Sequence, residues 1–146
     1  MYEFVLILHN VLRWLVVGAA VWVMVASVRG LQTGQYAASD RTAGRVFVGA
    51  MDTMLLLGLI LMFVSPVVRA ALADLGGAMG QRDLRFFAME HWLLMVFAVA
   101  LAHLGSSRVR RAVEASAKHR QALIFYGLSL LLVLFAIPWW RPLLRM

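Results

Sequence analysis

The chain contains no cysteine. That absence excludes disulfides, cysteine-held iron–sulfur clusters, thiolate zinc sites and covalently attached c-type haem, so any redox centre must rely on other ligands. Charge is also scarce: 14% of the 146 residues are Asp, Glu, Lys or Arg, against about 25% in soluble domains. Acidic residues number seven against fourteen Lys and Arg, a net charge of +7. Proline occurs three times, at Pro66, Pro138 and Pro142, and never inside a long apolar run. What fills the space is hydrophobic: 63% of the residues, with a mean hydropathy of +0.83. An ordinary soluble domain is thereby excluded, because so much apolar surface needs a medium other than water.

One membrane helix takes about 20 apolar residues, and roughly 80 to 90 residues here lie in such runs. Four spans are predicted, over about 4–28, 46–64, 86–104 and 121–137, making residues 1–146 a single transmembrane domain. The first run is too long for a signal-peptide core and is preceded by Glu3 where a basic segment would stand. Ser65-Pro66 disfavours simple continuation of helix 2, although 67–75 can add a turn or two. Gly76 to Gly80 reads as a flexible connection, Gly105-Ser106-Ser107 as the end of helix 3, and 107–120 as a basic helical extension at the membrane surface. Trp139 and Trp140 beside Arg141 have the composition of an interfacial belt.

The basic residues lie between the apolar runs, where they act as topology signals and lipid-headgroup contacts and not as a nucleic-acid surface. The links between helices 1 and 2 and between 3 and 4 carry Arg29, Arg41, Arg45, Arg108, Arg110, Arg111, Lys118 and Arg120. The other side carries Arg69, Arg82, Arg85, Arg141 and Arg145. The positive-inside rule then places both termini on the non-cytoplasmic side of an all-α, integral membrane, up-down four-helix bundle.

Ionisable side chains within spans are costly, so each needs a partner or a function. They are His9, Arg13, Asp52, Glu90, His91 and His103, with His119 at a helix entrance. His9 and His91 lie at a common depth, roughly 7 to 8 Å inside the predicted starts of two helices running in one direction. Two imidazoles presented at one level from different helices suit axial ligation of b-type haem, one nitrogen on each face of the ring. The alternative is a pair of interfacial histidines bonded to neighbours or headgroups. Arg13, one turn below His9, can pair with Glu90, contact a haem propionate, bond a quinone oxygen or snorkel towards the helix start. Gly58 falls at a similar depth and can admit a flat ring or a neighbouring helix.

A weaker second pair, His103 with His119, would lie at the other end. His91 and His103 are about 120° out of phase on one helix, which favours one haem over two. His119 within Lys118-His119-Arg120 reads as part of a solvated basic turn, and Asp52 as a structural partner of His103 or Arg45, with a proton-carrying acid as the alternative. Met51 with Met54, and Met89 and Met95 about His91, are spaced as packing methionines more than as a copper site. No serine stands in a hydrolase nucleophile context and no glycine-rich phosphate loop opens a helix.

Several segments together resemble a group of small four-helix bacterial membrane proteins labelled cytochrome b-like: LHNVLRW (8–14), SDRTAGR (39–45), LGLILMFVSP (57–66), RFFAMEHWLLM (85–95), KHRQALIFY (118–126) and IPWW (137–140). The resemblance implies a compact up-down bundle and carries His9 and His91 over as haem ligands. The chain departs from the pattern at Asp52, where the resemblance implies a histidine, and at His103, where it implies a non-ligand. The expectation is a multi-pass subunit of the bacterial inner (cytoplasmic) membrane, embedded in lipid beside other subunits. It would carry electrons between the quinol pool and a larger redox complex, with haem b or a quinone bound by His9, His91, Arg13 and Glu90. The rival is a cofactor-free structural subunit of a respiratory or photosynthetic assembly.

Overall fold

The computed structural model describes residues 1–141, so Pro142 and Arg145 of the charge count lie outside the described residues. Within that range the secondary structure is helical: α1 (Tyr2–Thr33), α2 (Ala38–Val64), two short helices α3 (Pro66–Ala73) and α4 (Leu75–Met79), α5 (Arg82–Arg111) and α6 (Ala115–Ala136). The four long helices are each long and apolar enough to cross a membrane.

They extend beyond the apolar runs because backbone bonding continues wherever the sequence allows it. α1 stops only at Gly34, whose φ of 69° is left-handed and whose N–H donates to the Gly30 carbonyl at 2.9 Å. α2 begins at Ala38, well before Val46, since the Asp40 carboxylate accepts the Ala37 N–H at 2.7 Å and satisfies an amide at the helix start. Gly105-Ser106-Ser107 does not end a helix. Gly105 is buried inside α5, where a Cβ would lie 2.6 Å from Phe125 Cβ, so the glycine permits close approach of α6. The expected surface extension is correspondingly divided, 107–111 closing α5 and 115–120 opening α6 after a three-residue link. Gly76 to Gly80 is also not simply a flexible connection: its first four residues fall in α4, with Asp74 accepting the Gly77 N–H at 2.9 Å.

Each long helix packs on two neighbours, α1 on α2 and α6, and α5 on α2 and α6. α1 and α5 therefore face each other diagonally across a four-membered ring. Short links at 34–37 and 112–114 reverse the chain between sequential neighbours. The core is made of small and medium side chains, among them Ala19, Ala20, Ala43, Ala98, Ala102 and Ala122, with Phe47 and Met51 filling its centre. Large apolar residues point outwards, Phe63 and Phe135 being 77% and 72% exposed. This inside-out distribution suits helices packed closely within an apolar medium.

Polar contacts stitch the ring. Ser129 donates to the Ala98 carbonyl at 2.7 Å in the core. His119 is only 1% exposed, its Nε2 donating to the Gln35 carbonyl at 2.9 Å, so it is a buried strut between α6 and the end of α1 and not part of a solvated turn. At the opposite end Asp83 receives Trp140 Nε1 at 2.8 Å and pairs with Arg141, while the Arg82 guanidinium lies 4.0 Å from the Trp140 ring centre. Trp140 is therefore tied to α5.

The His119 ring occupies the space that a side chain at Gly30 would need. Gly30→Ala should destabilise the bundle by about 1–3 kcal/mol through overpacking. Gly18→Ala, with nothing within 4 Å of its new methyl, should be neutral or stabilising by up to about 1 kcal/mol through helix propensity. Thermal unfolding of both variants in one detergent distinguishes them; equal stabilities would remove the strut role of His119.

Candidate functional site

A cluster of polar side chains lies in the apolar interior near the start of α1 and α5. His9 is about 10 Å along α1 from Tyr2 and His91 about 13 Å along α5 from Arg82, at 1.5 Å per residue. The diagonal arrangement turns both towards the bundle axis, where their ring centres are 6.2 Å apart with planes inclined at 64°. Local backbone geometry sets the aim of His91. A single π turn, Phe86–Glu90, precedes it, and the His91 N–H bonds the Phe86 carbonyl five residues back. The extra residue rotates the face that follows by about 100° relative to the first turn of α5.

His91 Nδ1 lies 2.8 Å from the carbonyl oxygen of Ala136, the last residue of α6. A carbonyl only accepts, so Nδ1 carries a hydrogen, and a neutral ring then presents Nε2 as an acceptor or ligand. The carbonyl is available because the end of a helix leaves its last acceptors without intrahelical donors. His9 differs: its Nδ1 is buried without a hydrogen-bond partner among the described residues. A side chain at Gly58 would begin 3.7 Å from His9 Cε1, so the glycine leaves the flank of that ring open.

The two imidazoles line a cavity of about 470 Å³, within the roughly 300–1,000 Å³ typical of ligand pockets. Its wall is mostly apolar, with Asn10, Arg13, Ser65 and Arg141 as further polar groups and Met54, Met62 and Met95 as soft ones. Arg13 is 8% exposed and belongs to this wall, its guanidinium carbon 5.5 Å from the Trp14 ring centre. Asn10, Met62, Ser65 and Arg141 are not among the site residues expected from the sequence, in which Ser65 marks only a helix break and Arg141 an interfacial group. Asn10 carried a readable signal, a polar amide beside His9 in an apolar run, whereas Arg141 reaches the cavity only through the fold of the tail.

The remaining expected site residues are placed elsewhere. Glu90 lies outside the cavity lining, and Arg85 Nε holds its Oε1 at 2.7 Å, so the structure assigns it a partner other than Arg13. His103 and His119 do not form a second ligand pair: His103 Nε2 is 2.7 Å from Asp52 Oδ1, and His119 Nε2 is committed to Gln35. Asp52 and His103 instead join α2 to α5 on a half-exposed face. Met51 is fully buried and Met54 nearly so, both as packing in the core, while Met89 is exposed.

Replacing Asp52 and His103 by Ala singly and together should reveal a coupling of about 0.6–2 kcal/mol, the scale measured for interhelical polar contacts in membrane proteins. A double-mutant cycle of unfolding in detergent or bicelles measures it, and additivity would show that the contact does not hold α2 to α5.

Comparison of the chain with protein-family models, with curated protein sequences and with solved structures found no match. The functional reading therefore rests on the residues and their geometry.

Proposed function

We propose that this chain is a multi-pass protein of the bacterial inner membrane that binds one b-type haem between His9 and His91. In this reading it carries electrons between the quinol pool and a larger redox complex. The observation that carries the proposal is the placement of two imidazoles, 6.2 Å apart, on diagonal helices across a largely apolar cavity. His9 and His91, one from each of the two diagonal helices, would be the protein residues that hold the iron. Among the described residues no group of three or more His, Cys, Asp or Glu converges as metal ligands. A haem iron takes its other ligands from the macrocycle and needs only two from protein.

The side chains fit that role on their own chemistry. The Ala136 carbonyl fixes the His91 tautomer and ring orientation, as outer partners of ligating histidines commonly do. The unpartnered Nδ1 of His9 is a buried donor or acceptor awaiting a partner. Arg13 supplies a positive charge suited to a propionate or a quinone oxygen. Haem, when bound, supplies reversible one-electron chemistry. The apolar part of the wall would lower the local polarity around the group and so tune its potential.

A reduced-minus-oxidised spectrum of the purified chain should show a b-type α-band at stoichiometric occupancy. His9→Ala and His91→Ala should each abolish it, whereas His103→Ala and His119→Ala should retain it. Absence of the band leaves the cofactor-free structural subunit as the better reading, and survival of the band in both of the first two variants would sink the ligand assignment. The excess of basic residues at the other end of the bundle supports an orientation with the 34–37 link in the cytoplasm. Because the chain has no cysteine, Thr33→Cys and Gln81→Cys can report it. An impermeant thiol reagent should label the second in intact spheroplasts and the first only in inverted vesicles.

A further inference from the structure

At the end of the bundle remote from the histidines, a second cavity of about 370 Å³ is built by all four long helices. Arg41 and Arg45 come from α2, Arg110 from α5 and Lys118 from α6, with Asp40 as the acidic group in the wall. Among the described residues five further cations, Arg13, Arg69, Arg82, Arg85 and Arg141, stand in α1 or towards the opposite end, and four at this end, Arg29, Arg108, Arg111 and Arg120, lie outside the cavity. A topology signal requires only that basic residues sit near the membrane surface. It gives no reason for four of them to converge on one concavity, where like charges repel.

Asp40 supplies one negative charge against the four positive ones. Its Oδ2 already accepts the Ala37 N–H at 2.7 Å and lies 3.9 Å from His119 Nε2. The cations are partly positioned by neutral groups: Arg110 donates to Ser106 Oγ at 2.6 Å, and Lys118 Nζ donates to the Val109 carbonyl at 3.1 Å while lying 5.4 Å from the Tyr36 ring centre. Burial, followed by the nearby Asp40 charge, raises the Tyr36 pKa above its ordinary value, so its phenol stays neutral. The wall also holds the hydroxyl-bearing Ser27 and Tyr126 beside apolar Val23, Val109 and Ala122. Gly44 keeps this corner open, since a Cβ there would lie 3.3 Å from the Tyr126 hydroxyl.

We infer that this cavity binds a phosphate group, with Arg41, Arg45, Arg110 and Lys118 as its cationic contacts. Guanidinium groups match phosphate oxygens through paired N–H donors, and Lys adds a point charge. A phosphate monoester in solution and the phosphodiester of an anionic lipid share this chemistry. The apolar inner wall suits the glycerol and first methylenes of a lipid, and basic pockets between membrane helices are known to take such headgroups. The assignment is independent of haem, because the two cavities share no lining residue.

Native mass spectrometry of the full chain, exposed to phosphatidylglycerol or phosphatidylcholine, tests the lipid source; titration with glycerol 3-phosphate, followed by phosphorus NMR, tests the free one. Selective retention of phosphatidylglycerol assigns a lipid headgroup, and saturable binding of glycerol 3-phosphate without lipid preference assigns a soluble phosphate; either supports the site. Arg45→Gln/Arg110→Gln should weaken the bound species about tenfold or more. Arg29→Gln/Arg111→Gln, which removes equal charge outside the cavity where water and salt screen it, should weaken it no more than about threefold. Arg41→Gln provides a milder variant if the first pair fails to fold, with the loss expected to be intermediate. Binding of neither probe, or equal losses in the two double variants, would overturn the inference.

Discussion

A polar atom placed among apolar helices has no water to bond, and leaving it unpaired costs of the order of 1–3 kcal/mol. This constraint organises the bundle. Ser129 reaches the Ala98 carbonyl across a helix interface, His119 reaches Gln35, and His91 reaches Ala136. In each case a side chain on one long helix meets a backbone carbonyl on another helix or just beyond its end. Carbonyls at helix ends are free to accept, so two of these contacts tie the ends of α1 and α6 to their neighbours, while small residues along the middle let the helices approach. His9 Nδ1, without such a partner, is conspicuous against this background.

The two ends of the bundle have different chemistry. One gathers imidazoles, a largely apolar wall and a single buried guanidinium; the other gathers cations and hydroxyls. The first suits a neutral or macrocyclic ligand held by nitrogen, the second an anion held by charge. The excess of Lys and Arg over acidic residues becomes intelligible in this way, since four of the cations line one concavity, Arg13 and Arg141 line the other, and the remaining described ones stand near helix ends.

Much of the fold was legible in the chain because hydropathy accumulates along a helix and does not depend on its neighbours. The four apolar runs, the interruption at Pro66 and the stop before Pro138 correspond to observed helices or breaks. Helix ends were less legible. A glycine such as Gly105 reads as a terminator when only the local sequence is considered, but in the bundle it is the contact point for Phe125 and Tyr126. His119, flanked by Lys118 and Arg120, has the local composition of a solvated turn, yet the absence of a side chain at Gly30 opens the space that buries it.

The sequence by itself determined the helical, membrane-type character of the chain, its non-thiol chemistry and the short list of polar residues available for function. Those follow from composition and period, properties that survive without three-dimensional context. Tertiary structure decided which of those residues meet. The π turn before His91 sets its direction, diagonal packing of α1 and α5 brings it to His9, and the return of α6 supplies the Ala136 carbonyl. The same packing gives Glu90 to Arg85 and His103 to Asp52. Contacts between residues dozens of positions apart depend on helix register and crossing, and a one-residue change in either redirects a side chain by about 100°.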